Sequence, residues 1–246
     1  MALAIVLSYA RPQNIGRIVA ALESAAKVDR ILVSNNNPEV DLAPRLPASP
    51  KLDLVQQARH YGATKRFELA AESGAERFLC VDDDLFLTAG QIDRLLEALD
   101  RDPAVPHGVW GERLAFSDGK LSMQIGVRRT DARLGVLNRC YAFTAGHVRR
   151  FFELAAQLGF AAGEEVRNGD DLLLSFCGDA GPLCYDLGPL EDCPSANDPR
   201  VAVWRRDDFF VVRKQLLARL LALPPDCTPW WRARMDAFRR EVSAPA

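Results

Sequence analysis

The stretch Phe78-Leu79-Cys80-Val81-Asp82-Asp83-Asp84-Leu85-Phe86-Leu87-Thr88 constrains this chain more than any other. Four apolar residues in a row predict a buried strand, and three carboxylates follow it at once. In an extended chain side chains alternate faces, so Asp82 and Asp84 are expected on one side and Asp83 on the other. At about 5 Å and an effective dielectric of about 20, two such charges repel by roughly 3 kcal/mol. Something positive must offset that. Oxygen ligands suit Mg²⁺ or Mn²⁺, which keep waters and share their remaining positions with phosphate oxygens. The run thus points to a metal-held diphosphate, with Asp82 and Asp84 as candidate ligands. The competing reading is an aspartate-rich turn, since Asp is common at strand ends.

The segments before and after this run alternate in kind. Residues 4–8 predict a strand, and Ala10-Arg11-Pro12 a turn. Ile15, Ile18, Val19 and Leu22 follow with helical spacing. Residues 30–34 predict a second strand, ending in the turn signal Asn35-Asn36-Asn37-Pro38. A Pro-rich loop, a short strand over 52–55 and a helix over 64–73 come next, with Gly74 at the helix end. Thr88 and Gln91 form a capping-box pattern for a helix running to about Leu99. Such alternation predicts an α/β fold, a mainly parallel sheet with helices on both faces. Ligands on such sheets bind at the carboxyl ends of the strands. Ser8-Tyr9, Asn35-Asn36 and Asp82–Asp84 all fall there, so residues 1–100 read as a Rossmann-like nucleotide-binding half.

The second half is less regular. Strands are expected over 109–114, 121–127 and 139–144, completing a mixed sheet, with a helix over 147–158. Asn168 reads as the cap of a helix with Asp170 and Asp171 in its first turn, where acids favour the helix dipole. Two carboxylates exceed what capping needs, so one is a candidate for the site. A late strand (183–187) and an amphipathic helix (207–223) end the acceptor-binding half, about 101–223. Pro224-Pro225 stops that helix, and a C-terminal helix covers 228–242. Arg11, before Pro12, sits on a turn where a guanidinium can clamp phosphate or stack on a base. Lys65-Arg66, and Trp204-Arg205-Arg206 with Arg213, are basic clusters that as bare charge runs read as solvated faces. His60, His107 and His147 share no metal spacing, and Trp230-Trp231 reads as a helix anchor.

Bulk properties exclude some classes. A net charge of -2 gives no bulk attraction to nucleic acid. No apolar run approaches the length of a membrane span, and residues 3–7 are too short for a signal peptide. The six cysteines form no C-x-x-C pair. They read as reduced thiols of a cytoplasmic protein, the alternative being one disulfide among Cys177, Cys184 and Cys193.

Taken in order, these motifs resemble a GT-A glycosyltransferase, closest to the exostosin-type α-N-acetylhexosaminyltransferases of glycosyltransferase family 64. Ser8-Tyr9-Ala10-Arg11 resembles that family's Thr-Tyr-x-Arg, and Val33-Ser34-Asn35-Asn36 its Val-Trp-Asn-Asn. Lys65-Arg66 falls on its Asn-Arg, Val81-Asp82-Asp83-Asp84 on its Val-Asp-Asp-Asp, and Arg113 on a Pro-Arg. Asn168-Gly169-Asp170-Asp171 with Phe176 is similar to its Asn-Cys-Asp-Asp helix start, and Trp204 with Arg213 to its Trp and late Arg. The likeness spans about residues 3–220. Arg205 and Phe209 stand where family members carry histidines.

The resemblance implies one GT-A domain holding a UDP-sugar with Mn²⁺ or Mg²⁺. Ser8, Tyr9, Arg11, Asn35, Lys65, Arg66, Asp82, Asp83 and Arg113 would bind the donor. Asp84 and Asp82 would meet the metal, Asp171 the sugar, and Arg213 the departing diphosphate. A hexose or N-acetylhexosamine would pass, with retention, to a hydroxyl of a glycan or lipid-linked acceptor. Two rivals remain, and a third is excluded. In an inverting family-2-like enzyme Asp170 or Asp171 would be the general base. A non-catalytic module would bind UDP-sugar without turnover. A pyrophosphorylase needs a Gly-rich loop after the first strand, which Leu7-Ser8-Tyr9-Ala10-Arg11-Pro12 does not supply.

Overall fold

A computed structural model of the chain describes residues 1–117, 120–161 and 165–243. The first half contains β1 (Ala2–Ser8), α1 (Pro12–Ser24), β2 (Arg30–Asn35), β3 (Leu52–Gln56), α2 (Lys65–Glu72), β4 (Arg77–Val81), β5 (Leu85–Phe86) and α3 (Ala89–Arg101). The second holds β6 (His107–Gly108), β7 (Trp110–Ser117), β8 (Lys120–Arg128), β9 (Ala132–Arg133), β10 (Val136–Leu137), β11 (Cys140–Thr144) and α4 (Ala145–Gln157). After these come α5 (Asp170–Ser175), β12 (Leu183–Cys184), β13 (Glu191–Asp192), α6 (Phe209–Leu221) and α7 (Trp231–Ser243).

An eight-stranded sheet runs β3-β2-β1-β4-β11-β6-β12-β9. Its first four strands are parallel. The expected doubly covered sheet is present. Alternation along β1 sends Leu3 and Ile5 into one core with Phe67, Phe143 and Phe151. Ala2, Ala4 and Val6 enter the other, with Ile15, Val19 and Leu22 of α1. Burial on both faces explains why β1 and β4 read as unbroken apolar runs. Thr88 and Gln91 close the predicted capping box on α3.

β11 then lies antiparallel to β4, with Cys140 opposite Val81. This pairing brings the start of β11 beside the aspartate run and continues the parallel sheet into a mixed one. β7 and β8 do not join it. They form a hairpin that pairs with β10 in a separate three-stranded sheet. The late strand is also shorter than expected, covering only Leu183–Cys184. All six cysteines are free, so the Cys177, Cys184 and Cys193 disulfide is not formed.

Candidate functional site

β4 ends at Val81, so the three aspartates lie on a turn. Strand alternation no longer sets their directions, which corrects the expectation that Asp82 and Asp84 pair against Asp83. Each carboxylate instead meets an arginine. Arg66 Nη1 donates to Asp82 Oδ1 at 2.9 Å, and Arg11 Nη1 to Asp83 Oδ1 at 2.8 Å. Arg139 Nε and Nη2 donate to Asp84 Oδ1 at 3.1 and 2.9 Å, and Nη2 also reaches the Asp84 carbonyl at 2.9 Å. The positive charge that the run demands is therefore supplied, one guanidinium per carboxylate. Burial still lifts the Asp83 pKa to about 6 against the pull of Arg11. Burial raises Asp84 as well, with Arg139 opposing and the Asp82 charge adding to the rise.

A second acidic pair opens α5. Gly169, not Asn168, is its N-cap residue, and no side chain caps it. Asn168 sits in the left-handed region at φ 55° and offers its carbonyl to Arg213 Nη1 at 2.9 Å. The same Nη1 donates to Asp171 Oδ1 at 2.6 Å, and Nη2 to Glu112 Oε1 at 2.9 Å. Arg213 is only 1% exposed. It is thus parted from the exposed Arg205 and Arg206 and does not form one basic cluster with them. Asp170 is buried, its Oδ2 3.7 Å from Arg66 Nε. Arg66 also donates to Tyr141 Oη at 2.7 Å. Far from being a solvated face, Arg66 ties the aspartate turn of the first half to the acidic helix of the second. Burial pushes the Asp170 pKa up to about 7, against the attraction of Arg66.

Glu112 and Arg139 are absent from the sequence-based site. Glu112 is buried where the β7–β8 register shifts between Gly111 and Arg113. Such a bulge re-aims a side chain. The only sequence signal is a glycine inside a strand pattern. Burial raises the Glu112 pKa, with Arg213 opposing. Arg113, its neighbour on β7, pairs with Gln124 in the β7–β8 ladder, and its side chain makes no hydrogen bond or ion pair among the described residues, so no contact ties it to the site.

The other expected residues surround the ends of β1 and β2. Ser8 is buried, with no partner for its hydroxyl among the described residues. Tyr9 is 46% exposed, its ring centroid 4.1 Å from that of His60. Asn35 spends its amide on Val40 O at 2.6 Å and Gln56 Oε1 at 2.8 Å, organising the loop after β2. Lys65 pairs with Glu68 at 2.7 Å and lies over the Tyr61 ring.

A strap crosses the aspartate turn. β13 pairs with β5, placing Asp192 opposite Leu85. Arg139 Nη1 donates to Asp192 Oδ1 at 2.5 Å, and Arg17 Nη1 to Glu191 Oε1 at 2.6 Å. Arg11 Nε and Nη2 donate to the Ser195 hydroxyl and carbonyl, both at 3.2 Å.

Asp82 Oδ2 accepts no hydrogen bond among the described residues, and Asp84 Oδ2 has only Arg11 at 3.7 Å. Each carboxylate keeps a hard oxygen donor, on side chains 33% and 16% exposed. No group of three or more His, Cys, Asp or Glu among the described residues forms a metal cage. Two carboxylate oxygens without a cage fit a cation that completes its shell with phosphate and water.

No family model matches the chain, and no curated protein matches it in sequence. Solved structures do match. One is the crystal structure of GalNAc-T7 with UDP, GalNAc and Mn²⁺, at a TM-score of 0.52 and 10% identity. The match covers 77% of this chain and 43% of that one, so the chain spans less than half the length of that protein. The fold is GT-A. No helix among the described residues is long and apolar enough to cross a membrane.

Proposed function

We propose that this GT-A chain is a metal-dependent glycosyltransferase of the exostosin-like kind. It would move a hexose or N-acetylhexosamine from a UDP-sugar to a hydroxyl of a glycan or lipid-linked acceptor, with retention. One observation carries the reading. Two acidic sets from opposite halves of the chain, Asp82–Asp84 and Asp170–Asp171, converge through Arg66 at the carboxyl end of β4. The free oxygens of Asp82 and Asp84 would hold Mn²⁺ or Mg²⁺, which when bound screens the diphosphate and eases its departure.

The chain's own residues would do the rest. Tyr9 offers an exposed ring for the base, and Arg11 holds Asp83 while fastening the strap at Ser195. Asn35 shapes the loop beside the base rather than bonding to it. Asp171, fixed by Arg213, would orient sugar hydroxyls and stabilise positive charge at the reacting carbon. Arg213 acts through Asp171 and Glu112, since both its terminal nitrogens are engaged and it is buried. A second reading, inversion with Asp170 as general base, is favoured by the pKa of about 7 that burial gives that carboxyl. The anomeric configuration of the product separates the two.

Calorimetry with UDP and Mn²⁺ tests the core of the proposal. Asp84→Asn keeps the shape of the ligand and removes its charge, so metal-dependent UDP binding and turnover should be lost. Equal UDP affinity in Asp84→Asn and the unaltered chain, both with metal, would sink the assignment.

A further inference from the structure

Arg139 has no part in the reaction outlined for the other residues. It sits just before β11 in the left-handed region, at φ 66°. A glycine would adopt that backbone freely, whereas an arginine does so at a cost, and such strain concentrates at functional sites. The strained backbone is put to use. Its carbonyl accepts from Asp82 N at 2.7 Å, and its side chain makes three contacts to Asp84. The guanidinium also lies over the Trp110 ring, 4.4 Å from its centroid, and reaches Asp192 through Nη1.

This arrangement leaves Asp84 only one oxygen, Oδ2, for a cation. A carboxylate that is to bind a cation has one oxygen filled by an arginine fork. Once a divalent cation arrives, Asp84 no longer needs that partner, and two positive groups would crowd one carboxylate. The nucleoside diphosphate brings negative oxygens to the same spot. A planar guanidinium matches phosphate in two parallel bonds. The side chain is 16% exposed, so it faces an opening rather than sealed protein. Trp110 supplies a surface along which the guanidinium can turn while keeping its stacking contact.

Resting on the glycosyltransferase reading, we propose that Arg139 is a diphosphate-binding residue, whose fork on Asp84 is transferred to a phosphate oxygen when nucleotide and cation bind. No bond is made or broken in this exchange. Arg139 leaves one anion for another, while the open oxygen of Asp84 stays with the cation.

Two variants test this. Arg139→Gly suits the left-handed backbone, so it is expected to fold, which a thermal melt checks. Arg139→Lys keeps the charge but loses the fork. Each is titrated with Mn²⁺ alone, with UDP plus Mn²⁺, and with uridine plus Mn²⁺. Arg139→Gly should bind UDP about ten-fold or more weakly, the loss of a charge-assisted contact. Uridine affinity should be unchanged, and Mn²⁺ alone should bind as tightly or more tightly, because Asp84 is free. Arg139→Lys should fall between. UDP affinity within about two-fold of the unaltered chain overturns the proposal. So does an equal loss for UDP and uridine, which would mark a distorted site, or weaker Mn²⁺ binding, which would mark Arg139 as a fixed support for Asp84. If the unaltered chain binds no UDP with Mn²⁺, the parent reading falls. Normal UDP binding that ignores Arg139 removes this inference alone.

Discussion

At Asp170 burial and charge pull in opposite directions, and burial wins. The carboxyl is 7% exposed, and its pKa rises from an ordinary 3.8 to about 7. Between those values the folded chain holds a proton that the unfolded chain has released. Stability from this group is therefore full below about pH 4 and is lost as pH rises through about 7. Asp83, raised to about 6, adds a slope of the same sign. Asp170→Asn mimics the protonated form and should remove only its own share. Thermal melts should then agree near about pH 4 and diverge in favour of the variant by about pH 8, at up to about 1.4 kcal/mol for each pH step between the two pKa values. A variant less stable than the unaltered chain at the higher pH would show that the ionised Asp170–Arg66 pair stabilises the fold. The same residue shows where sequence reading stops. Two acids at a helix start were legible, but Asp170 as the buried one was not, because that depends on Arg66, distant in sequence.

At the scale of elements, the strands and helices that carry a period and a cap were legible: β1, β2, α1 and α3 fall close to their expected places. Their partners were not. Alternation marks β7 and β8 as strands but says nothing about which sheet they join, and they join β10. The bulge that turns Glu112 inward rests on Gly111. A Cβ there would lie 2.2 Å from the Val136 carbonyl oxygen, a backbone atom that cannot step aside cheaply. Gly111→Ala should therefore part β7 from β10 and shift Glu112 off Arg213. A loss of about 1–3 kcal/mol in urea unfolding is expected, together with a fall in turnover. Unchanged stability would mean the bulge tolerates a side chain and does not set the position of Glu112. Arg139 was hidden for a similar reason: nothing local marks a residue whose backbone is strained by its distant partners.

For the whole molecule, a ligand that binds only the folded form should raise its melting temperature by mass action. At about 100 times its Kd, UDP with Mn²⁺ adds about 2.7 kcal/mol, or roughly 5–10 °C for a chain of this size. GDP should shift the melt much less if the pocket pairs the polar edge of uracil. An equal shift for GDP would move the donor to another nucleotide class. The matching of Asp82, Asp83 and Asp84 with Arg66, Arg11 and Arg139 has a thermodynamic consequence of its own. A balanced cluster has little net pull on a lone dication or a lone trianion, yet together they nearly cancel. Cation and nucleotide should therefore behave as mutual effectors. Whatever factor Mn²⁺ lends to UDP affinity, UDP must return to Mn²⁺. Titrating each at fixed levels of the other should trace that cooperativity, with weak binding of either alone.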